Sequence, residues 1–154
     1  MGTGLLAGAA AGAAGTAALN ATTYLDMVWR GRGTSSAPEE TVEALEDRLP
    51  VTVPGEGDER SNRISGLGSL TGIVTGIGIG AAFGMLRRGG LRPPLPVAGA
   101  MIGLAAMAST DVSMTALRVS DPRRWSPGEW VSDLVPHLVY GTVTAAVLRA
   151  LDRR

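Results

Sequence analysis

The sequence predicts an all-α protein: a four-helix transmembrane bundle with a short amphipathic helix in its first loop. Three observations carry that reading. Charge is confined to interruptions between long apolar runs, glycine recurs every fourth residue within two of those runs, and tryptophan and arginine gather where runs end. Gly2 to Leu25, Ile64 to Leu86 and Pro93 to Thr110 hold no charged side chain. Each approaches or exceeds the ~18 to 20 residues needed to cross ~30 Å of hydrocarbon at ~1.5 Å per residue. A fourth run, Val131 to Leu148, is interrupted by Ser132, Asp133 and His137. It is read as a span, with a re-entrant or interfacial helix as its alternative. The expected organisation is one integral membrane domain over 1–154, with spans at about 4–29, 64–86, 93–117 and 130–149 and a soluble loop at 30–63.

A mean hydropathy of +0.18 is modest for such a protein, because the polar loops dilute the apolar runs. A soluble bundle of the same helices would be poor, since each glycine costs ~1 kcal/mol relative to alanine. Membrane spans use glycine readily. The first run lacks the basic start of a cleaved signal peptide and its apolar stretch is long for one, so it is read as a retained span.

Fourteen arginines, with no lysine, balance 14 acidic residues. That neutrality argues against the basic surface through which proteins hold nucleic acid, so no nucleic acid partner is expected. With no cysteine, disulfides, thiolate metal sites and a cysteine nucleophile are excluded.

The first span closes near Trp29, where Tyr24 and Trp29 fit an aromatic anchor and Arg30 and Arg32 mark the water side. In the loop beyond, Ser36 and Glu39 have the spacing of a capping box, which predicts a helix over Ala37 to Leu49 that Pro50 ends. Val42, Leu45 and Leu49 form its apolar stripe, against Glu39, Glu40, Glu43, Glu46 and Asp47. So acidic a helix is repelled by anionic headgroups, and is expected to rest on the protein's own loops or on a partner. Its alternative is a solvated linker.

In the second span Gly68, Gly72, Gly76, Gly80 and Gly84 repeat every four residues, and the first echoes them with Gly4, Gly8, Gly12, Thr16 and Asn20. Residues four apart share a helix face, so both helices carry a smooth groove that admits another backbone. The two spans are expected to pack on each other, with a homo-oligomer or another membrane protein as the alternative partner. Pro93, Pro94 and Pro96 open the third span, which continues the theme with Gly99 and Gly103. With four spans, six arginines share the side of both termini and eight lie opposite, the six closer to span ends. That favours termini in the cytoplasm.

Ionisable groups within spans are costly, which makes Asp26, Asp111, Asp133 and His137 the candidates for chemistry. Asp26, near Trp29, is expected to face water or an arginine. Asp111 can pair with Arg118 or with a neighbouring helix. Asp133 and His137, four apart, share a face with Gly141 and Ala145, and Tyr140 lies beside them. The pair suits a proton relay, a metal ligand or headgroup recognition, and equally an interhelical bond that only fixes packing. One histidine and scattered carboxylates supply too few donors for a usual metal site, and no nucleotide-binding glycine loop or nucleophile elbow is present, so no cofactor and no catalytic residue are assigned.

The segment Trp130-Val131-Ser132-Asp133-Leu134-Val135-Pro136-His137-Leu138-Val139-Tyr140-Gly141 is similar to the last-helix signature of the YagU-like bacterial inner-membrane proteins, a family without an assigned activity. The resemblance covers about 25 residues closely and the four-span layout loosely, with Ser132, Asp133 and His137 matching the motif. It implies an integral inner-membrane protein, and the arginine, alanine and glycine bias looks like that of a high-GC bacterium. Three readings of function follow. Asn20, Asp111, Asp133 and His137 line a small cavity or relay in a transport-related protein; they lock helices in a scaffold or accessory subunit; or they serve an intramembrane enzyme acting on a lipid or quinone.

Overall fold

The computed structural model describes residues 2–152. Among them it contains five α-helices, one 3-10 turn and no strand: α1 (Gly2–Arg30), α2 (Ala37–Glu46), α3 (Gly57–Arg88), α4 (Leu95–Leu117) and α5 (Pro127–Leu151). Four are long and apolar enough to cross a membrane, all but α2. Their most apolar stretches bury only 17% to 33% of their residues inside the bundle. Leu6, Leu25, Val28, Val74 and Val112 are each at least two-thirds exposed. Such an apolar exterior is not tolerated by a soluble monomer and is what lipid requires. The chain is a multi-pass membrane protein.

The four long helices run up and down in alternation. α1 lies between α3 and α5, α5 lies between α1 and α4, and α3 and α4 at the flanks touch each other little. The α1–α3 contact is a glycine seam in which Gly4, Gly8 and Gly12 face Gly84, Gly80 and Gly76 in antiparallel order. A Cβ on Gly12 would lie 2.5 Å from the Gly76 carbonyl oxygen, and one on Gly80 equally close to Gly12 Cα. Lipid gives apolar surfaces no drive to leave it, so this backbone contact is what attracts one helix to another. A second seam joins α4 to α5, where Gly99 and Gly103 meet Gly141 and Thr142 and a Cβ on Gly103 would come within 2.6 Å of the His137 carbonyl oxygen. Gly15 of α1 receives Tyr140 and Thr144 of α5.

The four-residue repeat of α3 does not act as one surface. Gly72 has nothing within 4 Å of where a Cβ would stand, and Gly68 packs on Pro38 of α2 rather than on α1. Thr16 is the physical cause. It replaces glycine in the α1 series, donates to the Gly12 carbonyl at 2.9 Å, and its side chain fills the space over Gly76. Beyond that point the two helices part, and α2 takes the place of α1 against α3.

Two helix limits also differ from expectation. α3 begins at Gly57, inside the expected 30–63 loop, and its 32 residues extend ~48 Å at ~1.5 Å each, well beyond the ~30 Å hydrocarbon core. Its first two turns, with Asp58, Glu59, Arg60 and Arg63, stand beside α2. α2 itself stops at Glu46, short of Leu49, because the backbone tightens there and the Glu46 carboxylate turns away to accept from Arg60 at 2.6 Å and from the Val53 N–H. Ser36 is helical (φ −86°, ψ −6°) and bonds Glu40 at 2.5 Å, so the capping box with Glu39 does not form. One does form at Ser126 and Glu129, where the 2.7 Å and 3.3 Å reciprocal bonds open α5.

α2 rests on the protein. Val42 buries against Val53 and Ile64, Ser65 donates to Glu39 at 2.9 Å, and Arg60 bridges Glu43 and Glu46. Leu45 and Leu49, the rest of the expected stripe, stay exposed.

Gly80→Ala is expected to lower the melting temperature in detergent, since the seam must open to admit the methyl at a cost of about 1 to 3 kcal/mol. Gly72→Ala enters open space and should be neutral or stabilising by up to about 1 kcal/mol. Equal melting temperatures for the two variants would contradict the α1–α3 seam.

Candidate functional site

Asp133, His137, Tyr140 and Thr144 follow one another at i, i+4, i+7 and i+11, which places all four on one face of α5. Because α5 sits between α1 and α4, that face is internal. Tyr140 and Thr144 are at 1% and 0% exposure, and the Tyr140 hydroxyl donates to the Gly76 carbonyl of α3 at 2.6 Å. Tyr140 thereby ties three helices together at the level where the α1–α3 seam ends. Toward the chain termini the interior is apolar, built from Ala11, Ala98, Ile102, Ala145 and Leu148. Toward the α4–α5 connection it is polar.

His137 is held by its own helix. Its Nδ1 lies 2.8 Å from the Asp133 carbonyl oxygen and 3.3 Å from Asp133 Oδ1. Both are acceptors, so Nδ1 carries the hydrogen and Nε2 of the neutral ring keeps its lone pair. Pro136, one residue earlier, has no N–H to offer the Ser132 carbonyl, which loosens the α5 ladder between Asp133 and His137.

Asp111 comes to this pair from α4. It is 9% exposed, its Oδ1 is buried with no hydrogen-bond partner, and its helix packs against α5, which carries Asp133 and His137. Asp133 Oδ2 is likewise buried without a partner. Among the described residues no ion pair joins Asp111 to Arg118. Seven residues of helix separate them by ~10 Å at ~1.5 Å each, and Arg118, with φ +63°, ends α4 in a left-handed cap. The centre therefore consists of two carboxylates and one imidazole with unused acceptor capacity, and among the described residues no arginine is paired with Asp111.

Two other expected members of the polar cluster, Asp26 and Ser132, are bonded to arginine instead. Asp26 is paired with Arg30 and Arg32, both at 2.6 Å, and Arg30 also donates to the Ser132 hydroxyl, which in turn donates to the Gly128 carbonyl at 2.9 Å. Asp26 and Ser132 thus belong to a clamp that joins the end of α1 to the start of α5. Asn20 is half-buried and makes no hydrogen bond among the described residues. Sequence reading missed two parts of this arrangement. Arg30 was visible only as a boundary marker, and Thr144 continues the spacing of Asp133 and His137 but is too common a residue in membrane helices to stand out.

Among the described residues no group of three His, Cys, Asp or Glu side chains converges closely enough to hold a metal ion. What the centre can do chemically is accept and share protons. Trp125 and Trp130 meet edge to face at 5.2 Å beside the clamp, with Trp125 Nε1 donating to Ser120 at 2.9 Å, an amphipathic pair suited to the membrane–water boundary.

Asp111→Ala should melt no lower than the parent chain, since it removes a buried carboxylate that makes no hydrogen bond. Tyr140→Phe should lose about 0.5 to 1.5 kcal/mol, measured by denaturant titration in detergent. A marked loss from Asp111→Ala would make that residue a packing element.

A scan against protein-family models finds no match, and searches of curated proteins and of solved structures find none either.

Proposed function

We propose that this multi-pass membrane protein is transport-related and non-enzymatic, and that Asp111, Asp133 and His137 form a proton-binding centre within it. The observation that carries the reading is the buried, unbonded Oδ1 of Asp111 on the helix that packs against the one bearing Asp133 and His137. Desolvated carboxyl groups without partners are unfavourable in lipid and persist where they bind something. The apolar half of the interior argues against an open pore, so proton movement would be coupled to motion of the seams.

The resemblance of the α5 segment to the YagU-like signature supports placing the chain in a bacterial inner membrane. Orientation with both termini in the cytoplasm is supported by charge. Arg30 and Arg32 pair with Asp26, Arg60 with Glu43 and Glu46, and Arg63 with Glu59, while at the opposite end Asp152 is the one acidic side chain among the described residues. The anionic cytoplasmic leaflet attracts the end with surplus arginine. The rival reading, a scaffold, draws on the Asp133–His137 contact, which lies within one helix and stiffens α5 whether or not a proton is carried.

Liposomes containing the purified chain should show proton flux above empty vesicles when a pH gradient is imposed. His137→Ala should abolish that flux while leaving the melting temperature unchanged. Flux no greater than in empty liposomes would remove the transport reading, and a variant that melts early instead would favour the scaffold.

A further inference from the structure

A different surface lies at the end of the bundle where α1 starts and α5 finishes, away from the proton-binding centre. Residues 64–110 and 134–152 contain a single carboxylate side chain, Asp152. Arg87, Arg88, Arg92 and Arg149 all lie within the same stretches. A small cavity of about 20 Å³ lies where α3, α4 and α5 meet, walled by Phe83, Leu91, Pro93, Ile102 and Leu148, with Arg87 its only charged member. Arg87 Nε is held by Asp152, and Arg92 Nε lies 3.5 Å from the Arg87 carbonyl oxygen. On the other side of α4 a second hollow repeats the pattern, with Leu95, Ala146 and Ala150 as its wall and Arg149 at its edge. Arg149 is half-buried and has no hydrogen bond or ion pair among the described residues.

We propose that this end binds anionic phospholipid, its headgroups drawn to Arg92 and Arg149 near the start of α4 and its acyl chains lying against the exposed apolar surface of Leu91, Val97 and Met101. Charge complementarity selects the headgroup. Guanidinium groups match phosphate geometry, and basic hollows between membrane helices are where acidic headgroups collect. Exposed Leu91, Val97 and Met101 select the rest of the molecule: a free anion would satisfy Arg149 and leave them uncovered, and a zwitterionic lipid would cover them and oppose the arginine with its own cation. The inference is independent of the proton-binding centre, since none of the residues is shared.

The test uses the full chain in detergent, titrated with phosphatidylglycerol or phosphatidylcholine of identical acyl chains, with inorganic phosphate as a third arm. Phosphatidylglycerol should raise Tm by several degrees more than phosphatidylcholine, and phosphate alone should leave it unmoved. In Arg92→Gln/Arg149→Gln the two lipids should act alike. Equal shifts on the parent chain, a phosphate effect as large as that of phosphatidylglycerol, or undiminished selectivity in the double variant would each overturn the proposal. Should the double variant not fold, native mass spectra of the parent and of Arg149→Gln decide: the excess of retained phosphatidylglycerol over phosphatidylcholine should fall toward parity in the variant, and an unchanged ratio refutes the site.

Discussion

In lipid, helices gain nothing by hiding apolar side chains from their surroundings, so contact between backbones has to replace the hydrophobic drive. Three interfaces in this chain meet that requirement in the same way, by omitting the side chain. Gly4, Gly8 and Gly12 bring α1 onto α3, Gly99, Gly103 and Gly141 bring α4 onto α5, and Gly15 admits Tyr140 and Thr144. α1 therefore presents small residues on two faces at once and becomes the partner of both α3 and α5. That double engagement is what puts α5 inside the bundle, and an α5 inside the bundle is what makes its polar face an internal one.

Polarity is graded along that face. Near the chain termini the interior is alanine, isoleucine and leucine, with Tyr140 at the border giving its hydroxyl to a backbone carbonyl. Near the α4–α5 connection it holds Asp133, His137 and, from α4, Asp111. The Arg30 clamp on Asp26 and Ser132 closes the neighbouring boundary. Ion pairs there are satisfied, whereas Asp111 Oδ1 and Asp133 Oδ2 beneath them have no hydrogen-bond partner.

Charge is also divided between the two ends. The loop that carries α2 neutralises its arginines against its own glutamates, and Arg60 pins the acidic helix to α3, so that end presents a self-contained surface. The terminal end has arginine in surplus beside exposed apolar side chains such as Leu91 and Val97.

The number of helices, their approximate limits and their solvent were legible in the sequence, because charge exclusion over a membrane's thickness is a property of each segment alone. The Asp133–His137 pair and the glycine faces were legible for the same reason: residues four apart share a helix face wherever the helix is placed. What the sequence left open was every question of partner. Gly72 and Gly80 are identical in pattern, yet only the divergence of α1 at Thr16 leaves one open and buries the other. Asp26 and Asp111 are both aspartates in apolar runs, yet the chain brings two arginines to the first and none to the second. Helical periodicity is local and can be read residue by residue; which face meets which is a distance between segments far apart in the chain, and only the packed bundle decides it.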